Sequence, residues 1–140
     1  MVQHHIHKWH SLIKGELPGG YDELLADDVI FYSPVVFTPQ KGKELTKLYL
    51  MAAGNTFGGD EAKSSGNLNG SSFKYIKEVL DGNQAILEFE TTIDGKYVNG
   101  VDIVTFNDEG KISEFKVMIR PLQAVNIIHM QMQNMLASMK

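Results

Sequence analysis

Four runs of residues decide the fold: FKYIKEVL (73–80), QAILEFETTI (84–93), KYVNGVDIVTF (96–106) and KISEFKVMIR (111–120). Asp81-Gly82-Asn83, Asp94-Gly95 and Asn107-Asp108-Glu109-Gly110 separate them. Asp-Gly between alternating apolar runs is a strong hairpin signal, because a tight turn between twisted strands needs backbone at positive φ. Three such joints in succession predict an antiparallel meander from Phe73 to Pro121.

Side chains on a strand alternate faces with a period of two. In the second run this sets Leu87, Phe89, Thr91 and Ile93 apart from Glu88 and Glu90. In the fourth it sets Phe115, Val117 and Ile119 apart from Glu114, Lys116, Met118 and Arg120. One face is apolar and the other mixed. The third run differs, with Val98, Asp102, Val104 and Phe106 on one face and Val101, Ile103 and Thr105 on the other. A strand apolar on both sides is expected to be covered on both. Helices cover one side in so short a chain, and a second copy is expected to cover the other, giving a homodimer through the outer sheet face. Asp102 falls on the apolar wall, where loss of solvation raises a carboxyl pKa. That suits an acid catalyst or a donor to a ligand carbonyl. It equally suits an inert acid tied down by the Trp9 N–H or by backbone amides.

Outward from the meander, Ile6, Trp9, Ile13 and Leu17 recur at helical spacing, predicting a helix over about 4–16 that Pro18-Gly19-Gly20 ends. Tyr21 to Ala26 reads as a second, short helix, and Val29 to Ser33 as a strand closed by Pro34. KELTKLYLMAA (43–53) carries a stripe of Leu45, Leu48, Tyr49 and Ala52, with Gly54 placed to cap it. Residues 54–72 are rich in Gly, Ser and Asn and read as a mobile loop. A C-terminal helix is predicted over 121–138, opened by Pro121, with Leu122, Val125, Ile128, Met132, Met135 and Met139 as its apolar stripe. No Asp, Glu, Lys or Arg lies between Arg120 and Lys140, so this helix is expected half-buried against the sheet or another subunit.

Composition narrows the function classes. At 140 residues the chain makes one domain over 1–140, and its 43% hydrophobic and 21% charged content is that of a globular protein. A net charge of −4 and the lack of any basic run argue against nucleic acid as a partner. No apolar run approaches the roughly 20 residues that cross a bilayer, so no membrane partner is expected. Zero cysteines exclude disulfides and thiolate metal sites. With no apolar leader in MVQHHIHKWH, the expected location is cytoplasmic. His4, His5, His7 and His10 have no carboxylate at a ligand spacing, so neither a metal nor a cofactor is expected.

Helix, helix, the strand DVIFYSP (28–34), helix and meander together resemble the cone-shaped α+β fold of the nuclear-transport-factor-2-like superfamily. That superfamily includes ketosteroid isomerases, polyketide cyclases and limonene epoxide hydrolase. LLADDVIFYSPVV (24–36), TPQKG (38–42) and VDIVTFNDEGKI (101–112) carry most of the likeness, which spans the chain up to Pro121. The resemblance implies a strongly curved, mostly antiparallel sheet with the N-terminal helices packed on its concave face, plus the C-terminal helix. The isomerase mechanism uses an Asp base, with a Tyr and a protonated Asp as oxyanion donors. Here the base position falls on Ser33 and the Tyr position on Trp9, and only the third matches, at Asp102. The epoxide hydrolase arrangement needs an Arg beside its acids, but Arg120 lies on the opposite face from Asp102. The cyclase-like members use an Asp as acid or base, which here would be Asp102.

Three readings follow. A small, largely hydrophobic molecule is bound in the cone, lined by Trp9, Ile13, Phe31, Ser33, Leu87, Phe89, Val104, Phe115, Val117 and Ile119, with Asp102 as the polar contact. Alternatively the chain is an isomerase, cyclase or hydrolase in which Asp102 is the catalytic acid or base. The third reading is a dimeric interaction module without chemistry.

Overall fold

The structure, a computed structural model, describes residues 2–57 and 73–139. Its helices are α1 (Val2–Ile13), α2 (Gly20–Leu24), α3 (Lys43–Phe57) and α4 (Leu122–Met139). Its strands are β1 (Leu25–Tyr32), β2 (Gln40–Lys41), β3 (Lys74–Asp81), β4 (Gln84–Ile93), β5 (Lys96–Phe106) and β6 (Ile112–Arg120). The strands form one curved sheet in the order β2-β1-β6-β5-β4-β3. It is antiparallel throughout except where β1 runs parallel to β6. The class is α+β.

The meander forms as its turns dictate. Asp94 (φ 51°) and Gly95 (φ 73°) both take positive φ between the paired residues Ile93 and Lys96. Two such residues make the tight turn whose twist matches the strands. Between β3 and β4 only Gly82 is at positive φ, at 59°. The β5–β6 joint is held by Asn107, whose Oδ1 accepts from the Glu109 and Lys111 amides at 3.0 Å each.

Other boundaries differ from the sequence expectation. Helix α1 covers 2–13 rather than 4–16. Strand β1 begins at Leu25 rather than Val29, because Leu25 pairs with Ile112 of β6 and that pairing ends α2 at Leu24. Gly54 does not cap α3, which runs on to Phe57, so the first four residues of the segment 54–72 are helical. The remaining part, 58–72, lies outside the described residues.

The core lies between the inner face of the sheet and the helices. Phe31, Phe89, Phe106, Phe115, Leu24, Leu25 and Leu87 are its largest fully buried side chains. Helix α1 buries Val2, Ile6, Trp9 and Leu12. In α3 the buried positions are Thr46, Leu50, Ala52 and Ala53, while Leu45 of the predicted stripe is exposed. In α4 the buried stripe is Ala124, Ile128 and Met132, so Leu122 is turned to solvent. An i, i+4, i+8 row is what one helix face presents to a flat neighbour. Small Ala124 lets α4 lie close.

Candidate functional site

Three rows of side chains cross the inner face. Phe89, Gly100 and Ile119 stand opposite one another on β4, β5 and β6. Leu87, Asp102 and Val117 form the next row. Ala85, Val104 and Phe115 form the third, which Phe31 continues onto β1. Asp102 thus has an aliphatic neighbour on either side at close cross-strand spacing. Only 6% of its surface is accessible.

The carboxyl is not bare. The Tyr75 hydroxyl donates to Asp102 Oδ2 at 2.6 Å, and Trp9 Nε1–H donates to the Tyr75 hydroxyl oxygen at 2.9 Å. An indole nitrogen can only donate, so the direction of this chain is fixed. Tyr75 must accept from Trp9, which turns its own single O–H towards Asp102. Burial raises Asp102 from an ordinary 3.8 to about 7, and the Tyr75 hydrogen bond pulls the other way. Burial, and then the neighbouring Asp102 charge, push the Tyr75 phenol well above its ordinary value. Desolvation outweighs the hydrogen bond, so near neutrality the acid is poised between its two forms.

Local structure explains how Tyr75 gets there. It sits on edge strand β3 opposite Phe89, just before the register shifts between Tyr75 and Lys77. Such a bulge re-aims side chains and twists an edge. As a residue Tyr75 is only half-buried, because its strand is at the rim, but its hydroxyl end is enclosed. Phe73 and His10 meet its ring edge-on at 5.1 and 5.5 Å. His10 also contacts Glu78 Oε1 through Nε2 at 2.7 Å, so two consecutive α1 residues are tied to β3 on either side of the bulge. Gly100 leaves room for the Phe89 ring, since a Cβ there would stand 2.6 Å from Phe89 Cζ and 2.6 Å from the Met118 carbonyl oxygen.

The structure thus brings Leu87, Phe89, Val104, Phe115, Val117, Ile119 and Phe31 onto one face with Asp102. Trp9 joins them through Tyr75 and packs on Phe115 at 4.9 Å. Ile13, at the end of α1, is half-buried against the core. Ser33 lies apart, just beyond β1. Its Oγ accepts from the Val35 and Val36 amides at 3.1 and 3.3 Å, closing the turn at Pro34. It also lines a pocket of about 210 Å³ with Tyr49, His129 and Leu136. Phe31 and Phe115 stand between this pocket and Trp9, through ring contacts of 5.8, 6.1 and 4.9 Å from Tyr49 onwards. Arg120 is on the outer face, donating to Asn99 Oδ1 at 3.2 Å.

Tyr75 is the residue that strand parity alone did not single out. The signal was there: Phe73 and Tyr75 are two apart, on one face, across from Phe89. Among the described residues no three His, Asp or Glu side chains come together to hold a metal. His5 instead packs on Phe106 at 5.4 Å. No helix of the described residues is long and apolar enough to cross a membrane.

No protein-family model and no curated protein matches the chain. Solved structures do. A steroid delta-isomerase from Pseudomonas aeruginosa superposes with a TM-score of 0.83 at 27% identity, over 98% of this chain and 92% of that one. A protein with a cystatin-like fold from Silicibacter pomeroyi gives 0.76 at 26% identity, over 93% and 83%. A protein designated a polyketide cyclase, from Sinorhizobium meliloti, gives 0.58 at 14% identity over 81% and 93%, a likeness of fold alone. The fold is the cystatin-like one of these neighbours, shared by a nuclear-transport-factor-2-like protein from Mesorhizobium loti that superposes with a TM-score of 0.64 at 16% identity, over 86% and 91%.

Proposed function

We propose that this chain binds a small, largely apolar molecule bearing one carbonyl or similar acceptor on the inner face of its sheet, with Asp102 as the polar contact. The observation that carries this reading is the buried Trp9–Tyr75–Asp102 chain. Tyr75 engages Oδ2, so a proton on Asp102 resides on Oδ1, the oxygen left to meet a ligand. A neutral carboxylic acid in an apolar wall donates a hydrogen bond to a carbonyl without the desolvation cost that a charge would carry. Phe31, Leu87, Phe89, Phe115 and Val117, all buried in this structure, form the apolar wall that the ligand has to part to reach Asp102.

Acid–base chemistry on the same ligand is the second reading, favoured by the likeness to the steroid delta-isomerase. It needs a second poised group. Ser33 is a poor one, because its Oγ serves as the acceptor for two turn amides. Binding alone requires nothing more than Asp102. We further propose that the protein works in the cytoplasm as a homodimer joined through the outer sheet face, where Val79, Ile86 and Met118 are exposed.

The test is the binding of 2-acetylnaphthalene, a fluorescent apolar ketone, between pH 5.5 and 8.5. Affinity should fall as pH rises through about 7, where Asp102 loses its proton. Asp102→Asn, which keeps an N–H donor, should bind with no such pH dependence, and Asp102→Ala should bind at least about tenfold more weakly, the cost of one hydrogen bond to a desolvated group. Wild-type affinity that ignores pH, or an Asp102→Ala protein that binds as well as wild type, would overturn the reading. Loss of turnover in Asp102→Asn with binding retained, for any ketone that wild type converts, would favour the catalytic alternative.

A further inference from the structure

Phe37 is wholly exposed, at 101%, in the loop that joins β1 to β2. The two residues before it, Val35 and Val36, form one wall of the 210 Å³ pocket whose far side is Tyr49 of α3 and Met132, Gln133 and Leu136 of α4. A protruding aromatic and a mainly apolar hollow therefore sit side by side on one surface. The full exposure of Phe37 shows that it does not fill the hollow of its own chain. The hollow is of a size to take one benzyl side chain.

Large aromatics seated in pockets dominate the energetics of protein contacts. A patch that carries both knob and hole is what an isologous contact about a two-fold axis requires. Charge permits the approach. The chain carries −4 overall, yet α4 holds no Asp, Glu, Lys or Arg, so two copies can bring this face together without like charges meeting. Leu122, 74% exposed, is seven residues before His129 and so lies on the same helix stripe as Gln133 and Leu136. It extends the uncharged surface along the helix.

We infer that two copies of this chain associate through the β1–β2 loop and α4, Phe37 of each seated in the Val36–Tyr49–Leu136 hollow of the other. This surface is distinct from the outer sheet face, so the two contacts can coexist in one assembly. The occupant is a second copy, because Phe37, the most exposed large apolar side chain among the described residues, is borne by the same surface as the hollow.

Because the chain has no cysteine, it can be tested by cross-linking. Phe37→Cys and Gln133→Cys proteins are prepared separately, mixed and oxidised. The expected main product is the mixed disulfide dimer, formed at least tenfold faster than that between Phe37→Cys and an Asp108→Cys control at the β5–β6 turn. In sedimentation velocity, Phe37→Ser should lose one association step that wild type shows, and Gln133→Trp, which blocks the hollow, should lose the same step. Met118→Lys, on the outer face, should leave the cross-link intact. Equal rates with the control, or a Phe37→Ser protein that sediments as wild type does, would overturn the inference. So would wild type monomeric through this face with a small molecule retained in the hollow.

Discussion

Replacing Asp102 by Asn makes the protein's stability respond to pH in a way no surface carboxylate would produce. In the folded state Asp102 titrates at about 7 against an ordinary 3.8. Below about pH 4 both folded and unfolded chains hold the proton and the acid costs nothing. Between 4 and 7 the unfolded chain releases its proton while the folded one keeps it, so stability falls as pH rises. Above 7 the full cost of a buried carboxylate is present. Roughly three pKa units at about 1.4 kcal/mol each give on the order of 4 kcal/mol. Asn has the same shape, still accepts from the Tyr75 hydroxyl and never ionises. The stability of Asp102→Asn relative to wild type should therefore climb by on the order of 4 kcal/mol from pH 4 to pH 8.5. Urea unfolding at fixed protein concentration reads it, with the single, buried Trp9 as the fluorescent reporter. Each pH is compared between the two proteins, so titrations common to both cancel. A difference that stays flat across that range would show that Asp102 ionises as if in water, and the site would lose its physical basis.

Tyr75→Phe removes the donor to Asp102 and the acceptor of Trp9 Nε1–H together. The Asp102 midpoint, followed by carboxyl-carbon NMR, should move above its wild-type value, since Tyr75 is the group that lowers it, and stability at pH 6 should drop by about 1–3 kcal/mol. An unmoved midpoint would mean that the hydroxyl does not donate there. Gly100→Ala should cost about 1–3 kcal/mol of overpacking, because its Cβ meets both a backbone oxygen and the Phe89 ring at 2.6 Å. Calorimetry would show it as a lower Tm, and an unchanged Tm would place the ring elsewhere.

Much of this was legible in the residues, and the rest was hidden for physical reasons. Turn chemistry marks β3 to β6 because Asp94-Gly95 and Gly82 have few alternatives to a tight turn. Period-two parity then puts Asp102 among Leu87, Val104 and Val117 without any structure. Leu24-Leu25-Ala26 is different. It suits helix and strand equally, and only Ile112, distant in sequence, settles that Leu25 is strand. Gly54 is a good cap in isolation, yet α3 continues through it. The depth of the Tyr75 hydroxyl depends on a bulge that no local rule places, and the Trp9 N–H, one of the two kinds of partner the sequence offers Asp102, reaches it only through that phenol.

The parallel pairing of β1 with β6 has a bearing on how the protein is made. Phe31 meets Phe115 only after β2, α3 and three further strands, β3 to β5, have been added to the chain. During synthesis the first helices and β1 leave the ribosome with their greasy sides uncovered, and nothing but the two-residue β2 is available to pair with. The meander, built from neighbours, can close as soon as it emerges, whereas pairings this remote in sequence are slow and leave sticky intermediates open to aggregation. The stretch from α1 to β1 thus stays open to aggregation until β6 is made.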